Sequence, residues 1–257
     1  MNSIRWLLLC LSMAANAAAL AAEPEANAMA AINRAGELRM LSQRIVRTYV
    51  QIGMKVQPKV DRLLLADSVR RFDANLRWLE GFPATEPLQL GDIKGRWRRF
   101  GGIFHGKPEL PQAIELNAAA ETILEGAERL TQQLQGNVAS SGGRMVNLAG
   151  RQRMLSQRLA KAYMLRVWGD PSPAVARDMA SATREFVAAL EELRRYGGNS
   201  ADIRSEIEEL SLQWEWLAAA IATEGTGTYP LIVAEASEAI LASADRLTTL
   251  YERLDTH

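Results

Sequence analysis

Arg39 and Arg153 are the residues whose type and position point most directly to binding chemistry. Successive side chains on a helix are rotated by about 100°, which places Arg39 on the same apolar face as Ile32 and Val46. Arg153 shares its face with Val146 in the same way. A guanidinium does not deprotonate in proteins, and burying one without a counter-charge costs roughly 3–5 kcal/mol. We therefore expect an anionic group to lie against each arginine.

The segments around these arginines contain few acids of their own. Between residues 28 and 57 the only acid is Glu37, which points to roughly the opposite side of the helix from Arg39. Between residues 144 and 168 there is no acid, against six arginines and lysines. The whole chain is balanced, with Lys+Arg 30 and Asp+Glu 30. The basic surplus is therefore local, and the composition argues against a general nucleic-acid binder.

Two explanations fit a buried arginine in such a segment. In the first, Arg39 and Arg153 pair with carboxylates from other helices and have a structural role. In the second, a small oxyanion from solution neutralises them, because the guanidinium fork matches an oxyanion in bidentate fashion. We favour the oxyanion, since the motif is kept in two places while neighbouring exposed positions differ. The acids that the first explanation would use include Glu80, Glu121, Glu125 and Glu238.

The segment around each arginine is one half of an internal repeat. Residues 32–44 (INRAGELRMLSQR) recur as residues 146–158 (VNLAGRQRMLSQR), with nine of thirteen positions identical. The offset is 114 residues at first and 117 residues from Ile123/Ile240 onward. We therefore predict two modules, residues 26–136 and 143–257, joined by a glycine-rich segment.

Each module has the apolar spacing of helices and breaks at proline and glycine. The spacing predicts an all-α fold of two tandem antiparallel four-helix bundles, because the connections are short. Arg96–Phe100 is basic with interleaved aromatic residues, and we predict that Trp97 and Phe100 point inward and that Trp214 repeats this anchor. The predicted helices span residues 26–56, 59–81, 89–104, 111–135, 143–168, 172–196, 200–223 and 229–255.

Residues 1–22 are typical of a secretory signal peptide. Arg5 supplies the positive charge, residues 6–13 form the apolar core, and Ala19–Ala21 fits a cleavage motif. The single cysteine, Cys10, lies in this segment, so we expect no disulfide in the mature chain. No later stretch has about 18 consecutive apolar residues. We expect an exported, soluble periplasmic protein without a membrane span.

The repeated motif resembles that of two known families. AINRAGELRMLSQRI resembles the P-box of nitrate/nitrite-responsive (NarX-like) sensor histidine kinases, and NLAGRQRMLSQRLAKAY resembles the N-terminal domain of type IV pili methyl-accepting chemotaxis transducers (PilJ-type). The resemblance implies a periplasmic four-helix bundle in which the arginine three residues after the glycine contacts nitrate where two such helices meet. The candidate ligand-binding residues are Asn33, Gly36, Arg39, Gln43 and Arg44, with Asn147, Gly150, Arg153, Gln157 and Arg158.

The sequence therefore predicts a periplasmic binding or sensory protein for nitrate, nitrite or a similar oxyanion. In this hypothesis, the first helices of the two modules pair around one anion, or each holds its own, or only one of the two sites is functional. Because the membrane segments and signalling domains of those families are not found here, we expect a separate membrane-bound partner. The alternative is a non-catalytic helical scaffold with internally paired arginines. No enzyme, cofactor or metal site is expected, since His105 and His257 lack spaced partners.

Overall fold

The protein is built from α-helices. The computed structural model describes residues 3–102, 107–138, 141–223 and 229–254, with side chains from residue 27 onward. Within these residues there are eight helices and no strand. Their bounds are α1 (Ser3–Met54), α2 (Pro58–Glu80), α3 (Pro87–Gly101), α4 (Leu110–Gly136), α5 (Ser141–Trp168), α6 (Pro173–Arg195), α7 (Ala201–Ala222) and α8 (Tyr229–Leu254).

The helix boundaries follow the predicted breaks, with one exception at the N-terminus. Proline lies in the first turn of α2, α3, α4 and α6, where its missing N–H is not needed. The Ser172 and Ser200 side chains cap α6 and α7 by accepting backbone N–H groups at 3.2 Å. Helix α1 begins at Ser3 rather than at residue 26 and continues past Pro24. Cleavage near residue 22 stays a prediction, and the Cys10 side chain, His105 and His257 lie outside what is described.

Each copy of the repeat folds as an antiparallel four-helix bundle. Helix α1 packs on α2 and α4, and α5 packs on α6 and α8 in the same way. Within the first copy, Arg39 contacts Glu128 while Tyr49 contacts Gln112. Residue numbers rise along α1 as they fall along α4, so these two helices are antiparallel.

The two bundles join along their first helices, which run parallel. Near one end, a Cβ atom on Gly143 would lie 3.1 Å from the Ile32 side chain, and near the other end a Cβ on Gly53 would overlap the Trp168 ring. These contacts pair positions that are almost equivalent in the two copies. Apolar side chains from both copies form one continuous buried cluster, so α1 and α5 lie at its centre.

Aromatic stacks anchor the outer helices to this core. Trp97 stacks on Phe72 with ring centroids 3.9 Å apart and on Phe100 at 5.4 Å, and Trp214 stacks on Phe186 at 4.2 Å. The prediction of a repeated tryptophan anchor is therefore confirmed. None of the helices, over the part of the chain described, combines the length and apolar character needed to cross a membrane.

Candidate functional site

Arg39 on α1 and Arg153 on α5 form the centre of the candidate site, and we call them the arginine pair. The exposed fraction is 0% for Arg39 and 3% for Arg153. Both therefore lie on the buried faces that the helical spacing predicts. Water does not solvate these cations, so their charges depend on protein groups or on a bound anion.

Arg39 contacts one group from each copy. Its Nη1 forms an ion pair with Glu128 on α4, and its Nη2 donates to Asn147 Oδ1 on α5 at 2.7 Å. Burial lowers the pKa of Arg39, and Glu128 opposes that shift. Burial by itself would raise the pKa of Glu128, but Arg39 and Arg151 outweigh it, so this pKa lies below its usual value.

Arg153 repeats this arrangement with the copies exchanged. Its Nη1 forms an ion pair with Asp245 on α8 at 2.7 Å, and its Nη2 donates to Asn33 Oδ1 on α1 at 2.6 Å. Asp245 stands 117 residues after Glu128, which is the offset of the repeat in this region. The site thus has an approximate twofold symmetry within one chain.

The two guanidinium groups converge at Gly36. A Cβ atom on Gly36 would lie 3.0 Å from Nη2 of Arg39 and 3.9 Å from Nη2 of Arg153, and one on Gly150 would lie 3.0 Å from Nη2 of Arg153. The glycines therefore make room for the arginine side chains. The Nε atoms of both arginines are buried and have no hydrogen-bond partner among the described residues.

Internal acids reach both arginines, as the first of the two explanations requires and against the preference for an oxyanion as the counter-charge. Glu128 and Asp245 neutralise them, and neither was among the four acids considered from the sequence. Of those four, Glu121 and Glu238 bind other cations, and Glu80 pairs with Lys94. The sequence did contain a signal for these two acids. Each directly precedes an Arg-Leu-Thr segment, and the repeat aligns the two segments at residues 129–131 and 246–248.

Gln43, Gln157, Arg44 and Arg158 belong to layers beside the arginine pair. Gln43 accepts a hydrogen bond from Lys161 Nζ at 2.6 Å, and Gln157 donates to the Ser237 carbonyl at 2.9 Å. The structure therefore brings together six of the ten predicted residues, namely Asn33, Gly36, Arg39, Asn147, Gly150 and Arg153. It places the other four in contacts of their own.

Those contacts form two ion clusters that cross between the copies. Arg44 and Arg47 on α1 both pair with Glu238 on α8. In the equivalent place, Arg158 and Lys161 on α5 pair with Glu121 on α4, at 2.8 and 2.6 Å.

The carboxylate of each cluster is stabilised in its charged form by its basic partners. Burial tends to raise the pKa of Glu238, yet its two arginines bring that pKa below the usual value. The pKa of Glu121 is lowered against burial by Lys161 and Arg158. Each first helix is thereby bound electrostatically to the fourth helix of the other copy.

The chemistry available at the arginine pair is anion recognition or internal charge pairing. It contains fixed cations, amides and carboxylates, without a nucleophile beside a base. Among the described residues, no three His, Cys, Asp or Glu side chains are grouped as a metal site requires. The fold and the site therefore define a class of all-helical protein in which two bundles meet at a buried pair of cations.

The chain belongs to the PilJ family, described as the type IV pili methyl-accepting chemotaxis transducer N-terminal domain. The family profile matches residues 21–99 and 134–254, and so includes both copies of the motif. Membership indicates a sensory, non-catalytic role. No curated protein and no solved structure matches the sequence.

Proposed function

We propose that this protein is an exported periplasmic sensory module that responds to a small oxyanion, with nitrate or nitrite as the first candidates, at the arginine pair. The observation that carries the proposal is the convergence of Arg39 and Arg153, from equivalent positions of two parallel helices, at Gly36. An anion there would contact both copies at once. Its binding would therefore change how α1 and α5 pack, and a separate membrane protein would read that change.

The internal acids determine the form that this recognition takes. Glu128 and Asp245 already neutralise the arginine pair, so an anion has to compete with them. Their side chains are 22% and 36% exposed, against 0% and 3% for the arginines. Each carboxylate can therefore regain hydration when an anion displaces it. The Nε–H groups of the two arginines have no hydrogen-bond partner in the described part of the chain and provide further donors.

Calorimetry and thermal shift with nitrate, nitrite, sulfate and acetate test this proposal. Binding to the native state raises the melting temperature, and we expect one anion per chain. Arg39→Gln and Arg153→Gln should each abolish the binding heat, whereas the exposed control Arg194→Gln should retain it. Glu128→Gln should bind the anion more tightly, because a competitor is removed. Binding that is absent in the wild type, or undiminished in both arginine variants, would contradict the proposal.

A second candidate is a structural interaction module without a small ligand. The ion pairs of Arg39 and Arg153 favour it, because they neutralise both cations without an anion. Leu212 and Trp216 on α7 are 55% and 73% exposed and offer an apolar surface to a partner. In this case, none of the four anions changes the melting temperature of the wild type, and Arg39→Gln only lowers it.

A further inference from the structure

A cavity with several polar side chains in its lining lies between α1, α2 and α8. Its volume is about 330 Å³, within the range of small-molecule sites. Its lining includes Arg47, Gln51, Asp61 and Glu238. Gln51 lies twelve residues after Arg39, or about 18 Å along the helix. The cavity is therefore separate from the arginine pair.

Gln51 is buried without satisfying its hydrogen-bonding groups. Its exposed fraction is 0%, and neither its amide nitrogen nor its amide oxygen has a partner in the described part of the chain. It is the one side chain there with two such atoms. Arg47 is also 0% exposed, and its Nε likewise has no hydrogen-bond partner among the described residues. The lining thus offers a ligand two donors, the amide nitrogen of Gln51 and the Nε–H of Arg47, and one acceptor, the amide oxygen of Gln51.

Asp61 adds a buried negative charge to the same cavity. It is 3% exposed and accepts the Gln57 N–H at 3.0 Å, and no salt bridge to it is found among the described residues. Burial raises the pKa of Asp61, although Gln57 and Arg47 act against this. Of the acids in the lining, Glu238 already pairs with Arg44 and Arg47, whereas Asp61 has no such pair among the described residues. A positively charged ligand group would neutralise Asp61.

The second copy shows that the fold does not require these polar groups. At the offset of 114 residues, Leu165 takes the place of Gln51, and Val175 takes the place of Asp61. Both are buried, at 0% and 3% exposed. An unsatisfied buried polar group costs roughly 1–3 kcal/mol. The first copy therefore accepts a loss of stability that the second avoids, as is typical of functional sites.

We infer that this cavity binds a free α-amino acid with a small aliphatic side chain. The ammonium group is recognised by the Asp61 carboxylate and the Gln51 amide oxygen. The carboxylate group is recognised by the Gln51 amide nitrogen and the Arg47 Nε–H. Val60 and Leu64 in the same lining provide apolar contact for the side chain.

Calorimetry and thermal shift on the full chain test this inference with L-alanine and L-valine as probes. We expect saturable binding that raises the melting temperature, with ethylamine and propionate at least about tenfold weaker because each lacks one charged group. The double variant Gln51→Leu/Asp61→Val copies the second module and should abolish binding. Glu215→Gln, at an exposed position on α7, is the matched control and should bind normally.

The outcomes separate binding from folding and from the oxyanion proposal. The double variant should melt at or above the wild-type temperature; if it does not fold, Gln51→Leu and Asp61→Asn tested singly should each weaken binding at least about tenfold. Nitrate should leave amino-acid binding unchanged. The inference is overturned if neither amino acid binds at about 10 mM, if the folded variants bind like the wild type, or if ethylamine binds as tightly as L-alanine.

Discussion

Arg39 on α1 donates a hydrogen bond to Asn147 on α5 at 2.7 Å, across the junction of the two copies. The reverse bond, from Arg153 to Asn33, has the same form. Each copy thus completes the coordination of the other copy's arginine. This exchange resembles an interface between two identical subunits, here contained in one chain. Its consequence is that a change at either arginine acts on both bundles.

Removing one carboxylate from the arginine pair should destabilise the fold. Glu128→Gln leaves the buried Arg39 without its counter-charge, and breaking such pairs costs roughly 3–5 kcal/mol. Since the Glu128 side chain is 22% exposed, we expect a value near the lower limit. Urea unfolding measures the free energy. Glu191→Gln breaks the exposed pairs with Arg194 and Arg195 and should change this free energy by less than about 1 kcal/mol. Equal effects of the two changes would contradict the prediction.

The acids that neutralise buried arginines and Lys161 should make the protein sensitive to low pH. The folded-state pKa values of Glu121, Glu128 and Glu238 lie below the ordinary value of 4.5. Their stabilisation is therefore complete above about pH 4.5 and is lost as the pH falls through the lowered values. The unfolding free energy measured from pH 7 to pH 3 should fall, and it should fall less steeply in Glu128→Gln. An equally steep decrease in that variant would show that the carboxylate does not contribute.

Asp61 should have the opposite pH dependence. Its folded-state pKa is raised, so ionisation opposes folding, and the penalty appears as the pH rises through the raised value. Asp61→Asn should therefore increase the melting temperature at pH 7 and have little effect near pH 3. The Gln57 N–H can bond to the new amide oxygen, which keeps the turn intact. A variant that melts lower than the wild type at pH 7 would contradict this expectation.

Glycine-to-alanine changes should distinguish glycines that lie against a neighbouring side chain from glycines with open space beside them. A Cβ on Gly53 would overlap the Trp168 ring, whereas one on Gly95 meets nothing within 4 Å. Gly53→Ala should lower stability by roughly 1–3 kcal/mol through overpacking. Gly95→Ala should raise it by about 0.5–1 kcal/mol, because alanine loses less entropy in a helix. Thermal unfolding of both variants measures the difference, and a stabilising Gly53→Ala would show that α1 and α5 separate easily there.

The all-helical fold, the duplication and the burial of both arginines could be predicted from the sequence. These features depend on local spacing and on comparison of residues 32–44 with 146–158, both of which are present in a linear chain. The tryptophan anchors at Trp97 and Trp214 could be predicted for the same reason, because an amphipathic helix identifies its buried face without reference to its neighbours.

Only the tertiary structure identified the partners of those arginines. Glu128 is separated from Arg39 by 89 residues, and its contact depends on the register of α4 against α1. Likewise, the cavity at Gln51 and Asp61 exists because α8 closes over the α1–α2 connection, which no local pattern indicates. Helical periodicity tells which face of a helix is buried, but the charge found opposite that face is decided by how distant helices pack.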